Sequence, residues 1–192
     1  MKTKLKISMN APVTLGFTGL CLIATVLGLV SSGKITHAVF MTYHSSFLNP
    51  LTWLRFFTHV LGHNGLSHFL GNAAFLLLLG PQIEEKYGPK AMISVILVTA
   101  LITGLVNYIL FPHTGLCGAS GVVFAFILLA SFTGFREGEI PLTFILVAVI
   151  YLGQEIYQGI FVNDNVSNMA HIIGGITGGA AGYFLNRKQV IK

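Results

Sequence analysis

The stretch MAHIIGGITGGAAGY, residues 169–183, places a small residue at every fourth position of an apolar run. Its pattern, H-x2-G-x3-G-x3-G, is formed by His171, Gly174, Gly178 and Gly182. At about 100° per residue, Gly178 and Gly182 fall within about 20° of His171 around a helix, and Gly174 within about 60°. Small residues spaced by four let a second helix approach closely. The stretch therefore predicts a tightly packed helix with an imidazole at one end, which by itself is compatible with a packing role alone.

The composition of the chain places this helix in a membrane. Of the 192 residues, 54% are hydrophobic and 9% are charged, whereas soluble domains carry about 25% charged residues. Several segments approach or exceed the roughly 20 apolar residues that span a bilayer. We therefore predict an integral membrane protein in contact with the lipid bilayer. The net charge of +5 does not indicate nucleic-acid binding, because the basic residues lie at helix ends.

Hydropathy predicts an all-α protein, a single domain over residues 1–192, built as a bundle of six transmembrane helices. The predicted spans, the second of them short, are 12–31, 66–80, 91–111, 120–134, 140–162 and 169–185. One long loop, at about 32–63, connects the first two spans on the outer side.

The Lys and Arg residues predict how this bundle is oriented. With the N-terminus inside, only Lys34 and Arg55 lie outside. The other basic residues are then cytoplasmic: Lys2, Lys4, Lys6, Lys86, Lys90, Arg136, Arg187, Lys188 and Lys192. Both termini are therefore expected in the cytoplasm. A signal peptide over residues 1–31 is the alternative, but this segment shows no convincing A-x-A cleavage site.

A second polar feature, CGASG at 117–121, opens the apolar run of the fourth predicted span. Ser120 would lie at a helix N-terminus, where backbone N–H groups are free and the helix dipole is positive. An oxyanion formed on a substrate carbonyl would meet ready donors there. Gly118 and Gly121 equally fit a helix crossing, so G-x-S-G is a weak motif alone. Combined with His171 at the same membrane depth, it predicts a serine nucleophile and a histidine base.

No carboxylate is well placed to orient that histidine. Four of the six lie on the inner side: Glu84, Glu85, Glu137 and Glu139. Asp164 is in an outer loop and Glu155 is in the middle of the fifth span. We therefore favour a Ser–His dyad, with Asp164 as a third member as the less favoured alternative. Glu155 is expected to serve a buried hydrogen bond or to face a wet crevice.

The second span supplies further hydrogen-bond donors. His68 and Asn72 are four residues apart and so share one helix face. Together with the Ser120 amide, they would complete an oxyanion hole.

The histidines His59, His63 and His68 raise the alternative of a metal site, since His59 and His63 fit an i, i+4 ligand pair. His68, however, lies about 140° from His63 on a continuous helix. There is also no H-E-x-x-H motif. We predict no metal and no cofactor, and expect His59 and His63 to hold the outer loop by hydrogen bonds.

Together these residues resemble the rhomboid family of intramembrane serine proteases, in its six-helix, GlpG-type bacterial form. The resemblance covers about residues 55–183. It implies that Ser120, in GASG, is the nucleophile and that His171, in AHIIGGITGG, is the base. It also implies that His68 and Asn72, in the second-helix H-x3-N motif, belong to the oxyanion site. We place Gly118 beside them as room for a substrate backbone.

Three further positions follow from the same resemblance. Glu84 lies within the family's G-x3-E-x3-G motif and is expected to be structural. Where many members have a tyrosine four residues after the serine, this chain has Phe124, which can stack on the histidine but cannot hydrogen-bond. The family's Trp-Arg pair in the outer loop becomes Trp53 and Arg55 with one residue between them.

The function implied is cleavage of transmembrane segments of membrane proteins in the bacterial inner membrane. The implied substrates are single-span proteins with helix-weakening residues and a small residue before the scissile bond. The fifth helix and the loop at 161–168 are expected to form a lateral gate and cap. The alternatives are a transporter or channel, which predicts a cytoplasmic outlet, and an inactive relative, which predicts a missing Ser or His. The sequence indicates no oligomeric state.

Overall fold

The computed structural model describes residues 8–132, 139–161 and 168–190. Within these ranges the chain is all-α, as predicted, and no strand forms. A single isolated antiparallel bridge joins Thr42 to Leu116. The eight helices of the described chain are α1 (Pro12–Val30), α2 (Lys34–Val39), α3 (Pro50–Thr58), α4 (Leu66–Tyr87), α5 (Pro89–Leu110), α6 (Ser120–Ala130), α7 (Leu142–Phe161) and α8 (Asn168–Val190).

Three of these helices, α1, α4 and α5, are long and apolar enough to cross a membrane. In the described chain, α6 and residues 142–154 of α7 are shorter apolar helices. Large apolar side chains remain exposed on the outer faces of α1 and α4, for example Ile23 and Leu78. Such surfaces are unfavourable in water and fit contact with lipid. The count of six spans stays a prediction.

Helix ends differ from the sequence-based boundaries by more than two residues in three places. α4 continues through Pro81 to Tyr87 rather than ending near residue 80. α8 reaches Val190 rather than 185, and the two long helix ends are joined by a hydrogen bond of 2.9 Å from Asn186 Nδ2 to the Tyr87 hydroxyl. α6 ends at Ala130 rather than near 134. Hydropathy underestimated the lengths of α4 and α8, because the last turns of both helices are polar and are stabilised by contacts between helices.

The extra turns of α4 carry Glu84 to the start of α1. Its carboxylate accepts hydrogen bonds from the Val13 N–H, the Thr14 N–H and the Thr14 hydroxyl, each at 2.9 Å. Glu84 is buried. A buried carboxylate on two free helix N–H groups is favourable, because it satisfies donors that the helix cannot and faces the positive end of the dipole. The structural role expected for Glu84 is therefore confirmed.

α6 and α8 pack with almost no space between their backbones. A Cβ atom added at Gly174 would clash with the carbonyl oxygen of Gly121, and one at Gly178 would clash with that of Ala125. The glycine stripe thus serves the close helix approach that its spacing predicts. Because His171 lies one turn before Gly174, this packing brings the imidazole beside the start of α6.

The segment between α1 and α4 folds over the helix ends and contains α2 and α3. Arg55 in α3 is buried and donates from Nε to the Ala38 carbonyl at 2.9 Å. Its guanidinium lies 4.5 Å from the centre of the Tyr43 ring. Trp53 is half-exposed and donates to the Phe47 carbonyl at 3.0 Å. Arg55 therefore anchors this loop, whereas Trp53 lies at its surface.

Candidate active site

The site begins at the N-terminus of α6. Ser120 is the first residue of this helix, and the side chain of the residue before it, Ala119, cannot cap the free N–H groups. The preceding Ala119 is fully buried, and Gly118 has a φ of +134°, which L side chains rarely adopt. This turn leaves the Ser120 hydroxyl beside the positive end of a helix, where an anionic oxygen is favoured.

A cavity of about 520 Å³ lies next to Ser120. His68 and Asn72 line it from α4, Ser120 from α6 and His171 from α8. The structure therefore brings four of the predicted site residues to one space, from three helices. Ser120 and His171 belong to different helices, and both side chains line this cavity.

Gly118, the fifth predicted residue, separates two of these groups. A Cβ atom added there would lie 2.9 Å from His68 Nε2 and 3.8 Å from Ser120 Oγ. The imidazole edge and the hydroxyl thus flank one small volume that any side chain at 118 would fill. Both the positive φ and this spacing require glycine.

Asn72 is buried, and among the residues that the structure describes its Nδ2 group has no hydrogen-bond partner. Buried side-chain donors are rarely left unsatisfied, and leaving one costs about 1–3 kcal/mol. Because Asn72 lines the cavity, its amide is available to an acceptor that enters with a ligand.

Phe124, one turn after Ser120, holds the imidazole of His171. The two rings are stacked, with centres 4.5 Å apart and planes inclined by 6°. The ring of Tyr151, in α7, packs edge-on against the Phe124 ring, with ring centres 5.8 Å apart. The stacking expected at this position is confirmed, and it orients the histidine ring without a hydrogen bond from residue 124.

The outer histidines hold loops by hydrogen bonds, as predicted. His59 Nε2 lies 3.0 Å from the Ala100 carbonyl, and His63 Nδ1 lies 3.0 Å from the Leu61 carbonyl. Burial lowers the pKa of each to about 4, aided at His63 by the nearby His68. Among the residues that the structure describes, no group of three or more His, Cys, Asp or Glu side chains could hold a metal ion.

Cys117 also lines the cavity, next to the serine turn. Its thiol donates to Asn64 Oδ1 at 3.2 Å. Burial raises the pKa of Cys117 to about 11, so the thiol is protonated at neutral pH and is a poor nucleophile. The competing thiol is therefore less suited to attack than the hydroxyl of Ser120.

Asn64 and Tyr151 are among the lining residues of this cavity that the sequence did not place in the site. Asn64 was interpreted only as a sign that α4 begins after it, and Tyr151 is one aromatic residue among many in an apolar helix. Neither has a local motif, so only their place in the fold identifies them. Asp164, the alternative third member, and the side chain of Glu155 lie outside the described residues.

Comparison with known proteins agrees with this geometry. The family model for the rhomboid domain matches residues 50–188, which include all five predicted site residues. The chain therefore belongs to the rhomboid family and, with its long apolar helices, is an integral membrane protein.

The chain is similar to Rhomboid-related protein 1 of Caenorhabditis elegans, with 32% identity over 67% of this chain and 39% of that protein. Rhomboid-related protein 2 of Mus musculus is 33% identical over 67% of the chain and 47% of its own length. Rhomboid protease GlpG of Salmonella choleraesuis is 29% identical over 84% of the chain and 60% of its own length. The chain thus matches about half of the length of these relatives.

Proposed function

We propose that this protein is an intramembrane serine endopeptidase that cleaves transmembrane segments with a Ser120–His171 dyad. The observation that carries this proposal is the shared cavity, which is lined by a hydroxyl, two imidazoles and an unsatisfied amide from α4, α6 and α8. The relatives named as proteases support the same activity.

In the first step, Ser120 Oγ attacks the carbonyl carbon of the scissile peptide, and His171 accepts the hydroxyl proton. Collapse of the tetrahedral intermediate breaks the C–N bond, and His171 protonates the leaving amine. The hydrogen bond between Ser120 and His171 need only be short once substrate is bound, because catalytic hydrogen bonds often tighten in the complex. Phe124 keeps the ring in place by stacking.

The negative oxygen of the intermediate needs donors aimed at one point. The Ser120 N–H, His68 and Asn72 Nδ2 would meet this need, since Nδ2 has no partner in the described part of the chain and His68 flanks the same volume as the hydroxyl. Gly118 leaves that volume empty. Water then attacks the acyl-enzyme, His171 takes the proton of that water, and Ser120 leaves with a proton returned from His171.

The substrate needs a lateral path as well as a site. A groove of about 540 Å³ between α4 and α7 shares Phe75, Ile127 and Tyr151 with the catalytic cavity. It supports entry of an unwound transmembrane segment between these helices, with α7 as the lateral gate. We further propose six spans with both termini in the cytoplasm of a bacterial inner membrane, and transmembrane proteins as partners.

Cleavage of a transmembrane substrate in reconstituted vesicles tests the activity. Wild-type protein should cleave it, whereas Ser120→Ala and His171→Ala should reduce the rate by about 10³-fold or more. Cys117→Ala is the matched control, because it removes the neighbouring nucleophile, and it should keep most of the activity. Cleavage by Ser120→Ala at the wild-type rate would overturn the proposal.

The lateral path is tested separately with a cleavable bismaleimide in a background where Cys21 and Cys117 are replaced by alanine. Leu79→Cys and Val147→Cys, which line the groove from α4 and α7, should when joined abolish cleavage. Cleaving the linker should restore the activity. Full activity of the joined protein would exclude this entry route.

A further inference from the structure

The serine turn is attached to the segment between α3 and α4 at three consecutive residues. Cys117 Sγ donates to Asn64 Oδ1 at 3.2 Å, and the Gly118 N–H donates to the His59 carbonyl at 2.9 Å. The Ala119 N–H points at His63 Nε2 at 3.5 Å. Residues 59–64 therefore hold the turn at residues 117–119, which directly precedes the proposed nucleophile, Ser120.

Of these three contacts, the one at His63 involves a side chain with a fixed tautomer. His63 Nδ1 lies 3.0 Å from the Leu61 carbonyl, which can only accept, and 3.4 Å from the Thr25 hydroxyl, whose proton goes to the Cys21 carbonyl. Both neighbours of Nδ1 therefore act as acceptors, so Nδ1 carries the proton. In the neutral ring, Nε2 then has a free lone pair directed at the Ala119 N–H. This N–H is buried with Ala119, and within the described chain the imidazole is the acceptor that it meets.

The same ring contacts the proposed oxyanion donor. His63 packs edge-on against His68, with ring centres 5.0 Å apart and planes inclined by 72°. On another side it meets Phe69 of α4 at 5.6 Å. His63 thus lies between the turn that carries Ser120 and the imidazole of His68, and it contacts both.

A charged His63 would not fit this position. Protonation would direct a second N–H at the Ala119 N–H and place a positive charge beside His68. Burial and His68 lower the pKa of His63 to about 4, so the ring stays neutral where enzymes usually work. The neutral ring with Nδ1 protonated is therefore the form that the surroundings select.

We propose that His63 is a positioning residue, which aligns Ser120 through the Ala119 N–H and aligns His68 through ring packing. This inference rests on the proposed protease function. Its contact with Ala119 is long for a hydrogen bond, so its effect is on alignment more than on stability. A misplacement of about 1 Å at a reacting group can cost about 10²-fold in rate.

Two substitutions separate the hydrogen bond from the ring. His63→Phe keeps an aromatic ring against His68 but removes the acceptor, whereas His63→Gln can place an amide oxygen near the Ala119 N–H. We expect His63→Phe to lower kcat by about 10- to 100-fold with KM within about twofold. His63→Gln should recover most of that loss. Asn107→Ala, which removes a buried side-chain hydrogen bond to the Thr114 carbonyl, is the control for lost stability alone.

The outcomes distinguish this inference from the proposed function. If Ser120→Ala cleaves substrate normally, the protease mechanism fails whatever His63 does. If Ser120→Ala is inactive while His63→Phe keeps the wild-type kcat, the His63 inference is overturned. It is also overturned if both His63 variants lose kcat only in proportion to their thermal stability, as Asn107→Ala does.

A measurement on the unaltered protein gives an independent test. The ¹⁵N chemical shifts of His63 should show a neutral ring with Nδ1 protonated between pH 6 and 8. A ring protonated at Nε2, or a positively charged ring, in that range would contradict the inference.

Discussion

The N-termini of α1 and α6 have opposite surroundings. At α1, Glu84 of another helix accepts hydrogen bonds from the Val13 and Thr14 N–H groups. At α6, which begins at Ser120, the preceding residue is Ala119, whose side chain cannot cap the first N–H groups. A cavity lies beside them, lined also by Asn72, whose Nδ2 has no partner among the described residues. The first backbone donors are thus bound by a carboxylate at one helix and lie beside a cavity at the other.

This difference shows how one physical property serves two roles. Free N–H groups and the helix dipole attract a negative oxygen wherever a helix begins. When the oxygen belongs to the protein, as with Glu84, the result is a fixed joint between helices. At α6, a cavity and the Ser120 hydroxyl lie beside the N–H groups. These N–H groups can therefore bind an oxyanion that exists only during a reaction.

The largest effect is expected from removing the side-chain donor of Asn72, which lines the cavity beside α6. Asn72→Ala should lower kcat by about 10²- to 10³-fold, because one oxyanion donor is lost. Its thermal stability should change little, since Nδ2 has no partner to lose. Asn107→Ala provides the opposite pattern, with a lower melting temperature and nearly normal kcat. An unchanged kcat for Asn72→Ala would remove this residue from the oxyanion site.

Acid should inactivate the protein through His171. A protonated imidazole cannot accept the Ser120 proton, so kcat/KM should rise about tenfold per pH unit on the acid side and then level off. His59 and His63 have their pKa lowered to about 4 by burial, so they are neutral from pH 5 to 8 and add no second step. A flat profile over this range would contradict an imidazole base. His68→Asn, measured in parallel, assigns the step between the two cavity imidazoles.

Removing the ring that stacks on His171 should have a smaller effect. Phe124→Ala loses an aromatic contact worth about 0.5–1.5 kcal/mol, so kcat should fall by about two- to tenfold. Phe124→Tyr keeps the stacked ring and should remain within about twofold of wild type. A larger loss for the tyrosine variant than for alanine would contradict a stacking role.

Removing the charge that caps α1 should lower the stability of the protein and leave the catalytic rate unchanged. Glu84→Gln removes the charge at the α1 N-terminus and should lower the free energy of unfolding by about 1–3 kcal/mol. Below its melting temperature, the variant should cleave substrate at the wild-type kcat. This is checked by thermal denaturation in detergent together with kinetics at a lower temperature. A lower kcat with unchanged stability would contradict a purely structural role for Glu84 at the N-terminus of α1.

Much of the fold could be predicted because its signals are local. The apolar runs predict α1 and α5 closely, and the i, i+4 glycines predict that another helix approaches α8, which in the structure is α6. The predicted end of α4, at residue 80, was wrong because Pro81 and the polar residues after it are typical of a helix terminus. These turns are stabilised instead by Glu84, which binds a helix about seventy residues earlier in the chain. A local pattern does not contain such a contact.

The amino-acid sequence is enough to predict the membrane setting and the all-α class, and to identify Ser120, His171, His68 and Asn72 as candidates. Composition and spacing are enough for these, because they depend on residue type and helix periodicity. The packing of the helices is needed to show that the four line one cavity and that Asn72 Nδ2 has no partner among the described residues. Burial and unsatisfied hydrogen bonds arise only when distant helices pack, so no single segment of the chain carries them.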